Sequence, residues 1–102
     1  MALVRACGIE DLHAGGLKQV RLGDRTVCLA CTEVGDVYAI SDVCTHEQGS
    51  LSEGKLLGTE VECSVHGSRF DVATGAVTSL PAEENVETFP VVIQGDDVLV
   101  EV

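Results

Sequence analysis

Cys44-Thr45-His46 and Cys63-Ser64-Val65-His66 are the two pieces of this chain whose residue types could do chemistry. Each offers one thiolate and one imidazole, and about sixteen residues lie between them. Thiolate sulfur and imidazole nitrogen are donors that suit zinc, copper and iron. Each residue alone also has an ordinary role: a buried thiol is an inert apolar side chain, and an imidazole is a common surface group. Yet two of the three histidines share this register with two of the five cysteines, and coincidence is a poor account of that. Two Cys and two His can form a tetrahedral zinc site. Zinc pairs, however, are commonly spaced by about two to four residues so that a knuckle or helical turn aims both at one ion. Only Thr45 separates Cys44 from His46, and side chains diverge along an extended loop. Such a pair suits two bridged metal ions better than one, with a structural zinc module as the alternative.

The surrounding sequence must hold these loops. Valine abundance with eleven glycines favours short strands and tight turns over helices. Leu3 to Ala6 reads as a strand and Ile9 to Leu12 as one helical turn. Leu17 to Leu22 and Thr26 to Thr32 alternate apolar with polar, the signature of half-buried strands, and Val37 to Ile40 follows. Gly23-Asp24 and Gly35-Asp36 join these three as an antiparallel meander. From Asp42 to Pro81 the texture changes: turn residues are dense (Gly49, Gly54, Gly58, Gly67, Gly75), with brief strands at Glu60 to Cys63 and Arg69 to Val72. Val86 to Gln94, a turn at Gly95-Asp96-Asp97, and Val98 to Val102 make a closing hairpin. The expectation is one all-β domain over 1–102, an antiparallel sandwich or barrel-like base with an inserted metal-binding subdomain at approximately 42–81. Cys28-Leu29-Ala30-Cys31 has redox-motif spacing, but in a strand its two thiols point to opposite faces. They read as buried or edge thiols. Cys7 and His13 have no visible partner.

With these residues in place, the chain resembles the Rieske-type ferredoxins, the electron carriers of bacterial aromatic-ring-hydroxylating dioxygenase systems. The likeness runs beyond the ligand pairs, through Gly67-Ser68-Arg69-Phe70-Asp71, Thr74-Gly75 and Ser79-Leu80-Pro81-Ala82. It implies one 2Fe–2S cluster. Cys44 and Cys63 would hold one iron, and His46 and His66 the other, an arrangement that raises the potential above that of four-cysteine clusters. It also implies that Ser68, Phe70 and Pro81 lie beside the cluster. High-potential Rieske proteins carry a disulfide between their ligand loops and a serine and tyrosine near the cluster sulfurs. Here neither loop has a spare cysteine, Ser68 matches the serine, and Phe70 stands in place of the tyrosine. A potential toward the low end of the Rieske range is the expectation.

The resemblance implies a carrier rather than an enzyme. Its partners would be a flavin-dependent ferredoxin reductase and a terminal oxygenase. A small Rieske-type subunit of another oxidoreductase, such as a nitrite reductase, is the alternative. Seventeen acidic against six basic residues give a net charge of −11, which excludes the basic footprint of a nucleic-acid binder and disfavours anionic lipid. Such charge keeps a monomer soluble and can steer it toward a basic partner. No segment reads as a secretory signal or as a membrane span. A cytoplasmic, reducing setting is expected, where metal binding is the likelier use of cysteine than disulfides.

Overall fold

In the computed structural model, residues 2–45, 49–65, 67–80 and 82–102 are described. Eleven strands are present among them, arranged in three antiparallel sheets. β1 (Leu3–Gly8), β10 (Val91–Gln94) and β11 (Asp97–Glu101) form the first, in the order β1-β11-β10. β2 (Gly16–Leu22), β3 (Arg25–Cys31), β4 (Val37–Ser41) and β9 (Thr88–Phe89) form the second, in chain order. β5 (Lys55–Leu57), β6 (Glu60–Glu62), β7 (Arg69–Asp71) and β8 (Val77–Ser79) form the third, a continuous meander.

The second sheet is the middle layer. From one face, Val20, Leu22, Val27, Leu29, Ala39 and Phe89 pack with Cys7, Val98 and Val100 of the first sheet. From the other face, Cys28, Ala30 and Ile40 pack with Val61 and Phe70 of the third sheet and with Leu51, Val72, Ala82 and Val86. Alternation along β3 therefore sends odd residues to one core and even residues to the other. The expectation of half-buried strands changes here: β3 is buried on both faces, because Cys28 and Ala30 are as apolar as their neighbours. The apolar residues of β2 likewise serve both faces. Val20 and Leu22 face the first sheet, while Leu17 packs on the opposite side.

The meander of β2, β3 and β4 and the closing hairpin of β10 and β11 form as expected, the latter with Gln94 opposite Asp97. The run Val86 to Gln94 is not one strand. It breaks at Pro90, which has no N–H to give a ladder. Phe89 pairs with Ala39 of β4 before the break, and Val91 with Val100 of β11 after it. The chain thus changes sheets at the proline. Short elements with no signature in the sequence are β5, β8 and a single 3-10 turn at Leu51–Glu53. No helix among the described residues is long and apolar enough to cross a membrane.

Burial pushes the Cys28 thiol up to about 12, with the Asp42 carboxylate adding to the effect. The unfolded chain releases this proton near the ordinary thiol value, while the folded chain keeps it. Stability should therefore fall as pH rises from about 9 toward 12, by roughly 1.4 kcal/mol per pH unit. Cys28→Ala should flatten that part of the decline, read as the difference between the two proteins in urea melts at pH 8 and about pH 10.

Candidate metal centre

Both cysteines of the two ligand motifs are buried, Cys44 at 3% and Cys63 at 2% exposure, within one cluster of apolar side chains. Cys44 enters it from the segment after β4. Cys63 enters from the end of β6. The first loop closes on itself where the Cys44 N–H donates to the Gly49 carbonyl at 2.9 Å. The second closes where the Cys63 N–H donates to the Ser68 carbonyl at 2.7 Å and the Gly67 N–H to the Cys63 carbonyl at 3.1 Å.

The first loop lies close against the second beside the Cys63 sulfur. A Cβ added at Gly49 would stand 2.7 Å from Val65 Cγ2 and 3.6 Å from Cys63 Sγ, so a side chain there would have to displace Val65. None of the five cysteines is in a disulfide. Two enclosed sulfurs on adjoining loops fit a metal group well, since a buried thiolate needs a matching positive charge. His46, His66 and Pro81 lie outside the described residues, as do Glu47 and Gln48.

Ser68 is 1% exposed, and its Oγ accepts the Ala82 N–H at 3.0 Å. Its own O–H is a separate donor. Phe70 is fully buried in the core with both cysteines. Cys28 lies in the same core, while Cys31 on the opposite face of β3 is buried and Cys7 belongs to the other core.

Three residues important to this arrangement do not stand out in the sequence as site residues. Asp42 is 1% exposed. Its Oδ2 accepts from Gln19 Nε2 at 2.6 Å and its Oδ1 from the Ser52 N–H at 2.7 Å. Its backbone N–H donates to the Thr26 carbonyl at 3.0 Å, and its carbonyl accepts from Leu51 at 2.7 Å. One buried carboxylate thus joins β2 and the start of the Leu51–Glu53 turn, two residues before Cys44. Gly49 makes the close approach just described. Thr45 donates from Oγ1 to the Glu84 carbonyl at 2.7 Å. In an acidic chain Asp42 carries no signal of its own. Thr45 and Gly49 are visible only as neighbours of a candidate ligand.

Two loops that bring a pair of buried cysteines into one β core form a site suited to a metal group. The family model of the Rieske [2Fe-2S] domain matches residues 2–90, and the chain belongs to that family. Its cofactor is a Rieske-type 2Fe–2S cluster, not a lone zinc ion. Among similar proteins is the ferredoxin component of biphenyl 2,3-dioxygenase from Rhodococcus jostii (strain RHA1). It is 40% identical over 101 residues, covering 99% of this chain and 94% of that protein. The ferredoxin component of the naphthalene 1,2-dioxygenase system of Pseudomonas aeruginosa is 43% identical over 98 residues, covering 96% and 93%. Among solved structures, the ferredoxin of carbazole 1,9a-dioxygenase from Nocardioides aromaticivorans IC177 superposes with a TM-score of 0.92 at 33% identity, covering 98% and 97%. A ferredoxin solved in complex with the oxygenase of carbazole 1,9a-dioxygenase gives 0.88 at 33% identity, covering 96% and 100%. A nitrite reductase small subunit from Mycobacterium tuberculosis shares the fold, with a TM-score of 0.87 and 21% identity, covering 97% and 93%.

Asp42→Ala leaves the Ser52 N–H and the Gln19 amide without their acceptor. It should destabilise the protein by about 2–4 kcal/mol, measured from the urea midpoint at unchanged m-value.

Proposed function

We propose that this protein is the one-electron carrier of an aromatic-ring-hydroxylating dioxygenase system, passing electrons from a flavin-dependent reductase to a terminal oxygenase. The observation that carries this is the match along nearly the whole length of both this chain and the ferredoxin components. A carrier of this kind performs no hydroxylation itself. The complex of oxygenase and ferredoxin in the carbazole system supports the oxygenase as partner. The likeness to nitrite reductase small subunits is one of fold. A monomer in the cytoplasm is the setting that fits an acidic carrier serving two partners in turn.

Cys44 and Cys63 are the proposed thiolate ligands, and His46 and His66 the imidazole ligands. Residues 42–81 are the proposed cluster-binding part. When bound, the cluster takes up and releases one electron at a potential raised by its two imidazoles. The chain's task is to hold it and to limit water around it. Burial of both thiols among Leu51, Val61, Phe70 and Val72 supplies the shielding on the sulfur side. Ser68 is placed to steady the second ligand loop, and Phe70 fills the core without adding a hydroxyl. Pro81 is proposed to cover the cluster.

The docking face is the tip that carries the ligand loops. Val65 on the second ligand loop and Leu80 before the 82–86 segment expose apolar surface, at 47% and 73%, and the net charge of −11 favours a partner with basic residues around its own docking face.

Purified protein should be red-brown, with two irons and two acid-labile sulfides for each chain, as a 2Fe–2S cluster requires. Cys63→Ala and His66→Ala should each purify without that colour. One zinc and no sulfide would overturn the reading. Electron transfer to the oxygenase should slow as salt rises from about 20 mM to about 300 mM, where the Debye length shrinks severalfold. A rate indifferent to salt would leave the acidic surface with a role in solubility alone.

A further inference from the structure

Residues 82–86 are fastened at four points. The Ala82 N–H donates to Ser68 Oγ at 3.0 Å, on the second ligand loop. The Glu84 carbonyl accepts from Thr45 Oγ1 at 2.7 Å, on the first. Asn85 Oδ1 accepts the Val77 N–H of β8 at 3.0 Å, and the Val86 N–H donates to the Gly75 carbonyl at 2.8 Å. Gly75 stands at φ +78 with its α-carbon against the Val86 carbonyl, where a Cβ would collide. Two of the four bonds therefore reach the two ligand loops, one reaches β8 and one the turn that precedes it.

We infer that residues 82–86 act as a strap that sets the spacing of the two ligand loops, and that Thr45 is the positioning residue that ties the first loop to it. A cluster bridging two loops demands a fixed separation between them. None of the five cysteines is in a disulfide, so a cross-link of that kind does not supply it. A hydroxyl on each loop does so through the same five-residue segment. Ala82 and Val86 anchor that segment apolarly, at 1% and 4% exposure, and Asn85 fixes it to β8. Thr45 lies between Cys44 and His46 in the chain, so tension on its hydroxyl is transmitted directly to that loop. The inference rests on the ligand assignment proposed above.

The test uses cluster-loaded wild type, Thr45→Val, Thr45→Ser and Asn85→Ala. Valine keeps the shape of threonine and removes the donor; serine keeps the donor. Thr45→Val should raise deuterium uptake in a peptide containing residues 82–86, and quicken bleaching of the cluster under a chelator. Each change should be about threefold to tenfold, the effect of one lost hydrogen bond. Uptake in β2 and β3 should not move, and Thr45→Ser should restore both rates. Asn85→Ala removes the strap's hold on β8 without touching either ligand loop, and should also quicken bleaching. Its bleaching rate decides the question if Thr45→Val fails to load. Unchanged uptake and bleaching in Thr45→Val overturn the strap, as do a serine variant no better than valine and an Asn85→Ala cluster as durable as wild type. A colourless wild type would instead sink the ligand assignment, whereas coloured variants that behave as wild type sink only the strap.

Discussion

Strand β3 has no solvent face between Val27 and Cys31, where four of five residues are fully buried and the fifth is 7% exposed. Every other layer depends on this constraint. Val27 and Leu29 face the core beneath the first sheet, and Cys28 and Ala30 the core that contains Cys44 and Cys63. The ligand loops therefore do not rest on a surface. They rest on a strand already fixed from behind, in packing dense enough that a lost methylene is felt. A change at Val27 or Leu29 acts on the same strand that carries Cys28 and Ala30 against the cluster core.

The loops need that rigid backing because their own regular structure is scant. Between β4 and β5 the only regular element among the described residues is one 3-10 turn. Geometry is maintained instead by polar groups of small side chains. Asp42 reaches β2 and Ser52, Ser68 holds Ala82, and Thr45 holds Glu84. Short side chains suit this task because they give up little rotamer freedom when held. Long charged side chains instead make exposed cross-links such as Arg5–Asp97 and Arg25–Glu87, where the stabilisation of a pair is small.

How far the sequence discloses this depends on the kind of signal. Glycine-punctuated apolar runs report β2, β3, β4 and the final hairpin, since turn chemistry and strand period are local properties. The two-sided burial of β3 is less legible because a cysteine and an alanine carry no strong pattern, and cysteines spaced as Cys28 and Cys31 suggest chemistry rather than packing. β5 and β8 are three residues long, too short for a period to emerge, and both exist because β6 and β7 offer ladders beside them. Pro90 is readable as a break, yet its position inside a valine-rich run hides the change of sheet. At the site, Cys44 and Cys63 announce themselves by spacing. Asp42 does not, because among the described acidic residues burial alone distinguishes it. The bonds of Thr45 and Ser68 join residues 39 and 14 positions apart, beyond anything a local pattern encodes.

The chain leaves the middle sheet at Ser41 and returns to it at Glu87, where the Ser41 N–H donates to the Glu87 carbonyl at 2.8 Å and Ile40 pairs with Thr88. About 45 residues are thus enclosed by a single rung of the ladder. To the base sheet this stretch is one long loop whose ends are already joined. Closing such a loop costs only about 0.6 kcal/mol more for each doubling of its length. The base ladder can tolerate lengthening or remodelling of the enclosed cassette at small entropic expense, provided Asp42 and the Cys28 face still meet it. Evolution can therefore vary the enclosed segment with the scaffold's pairing intact, as one changes the stone in a setting without recasting the ring.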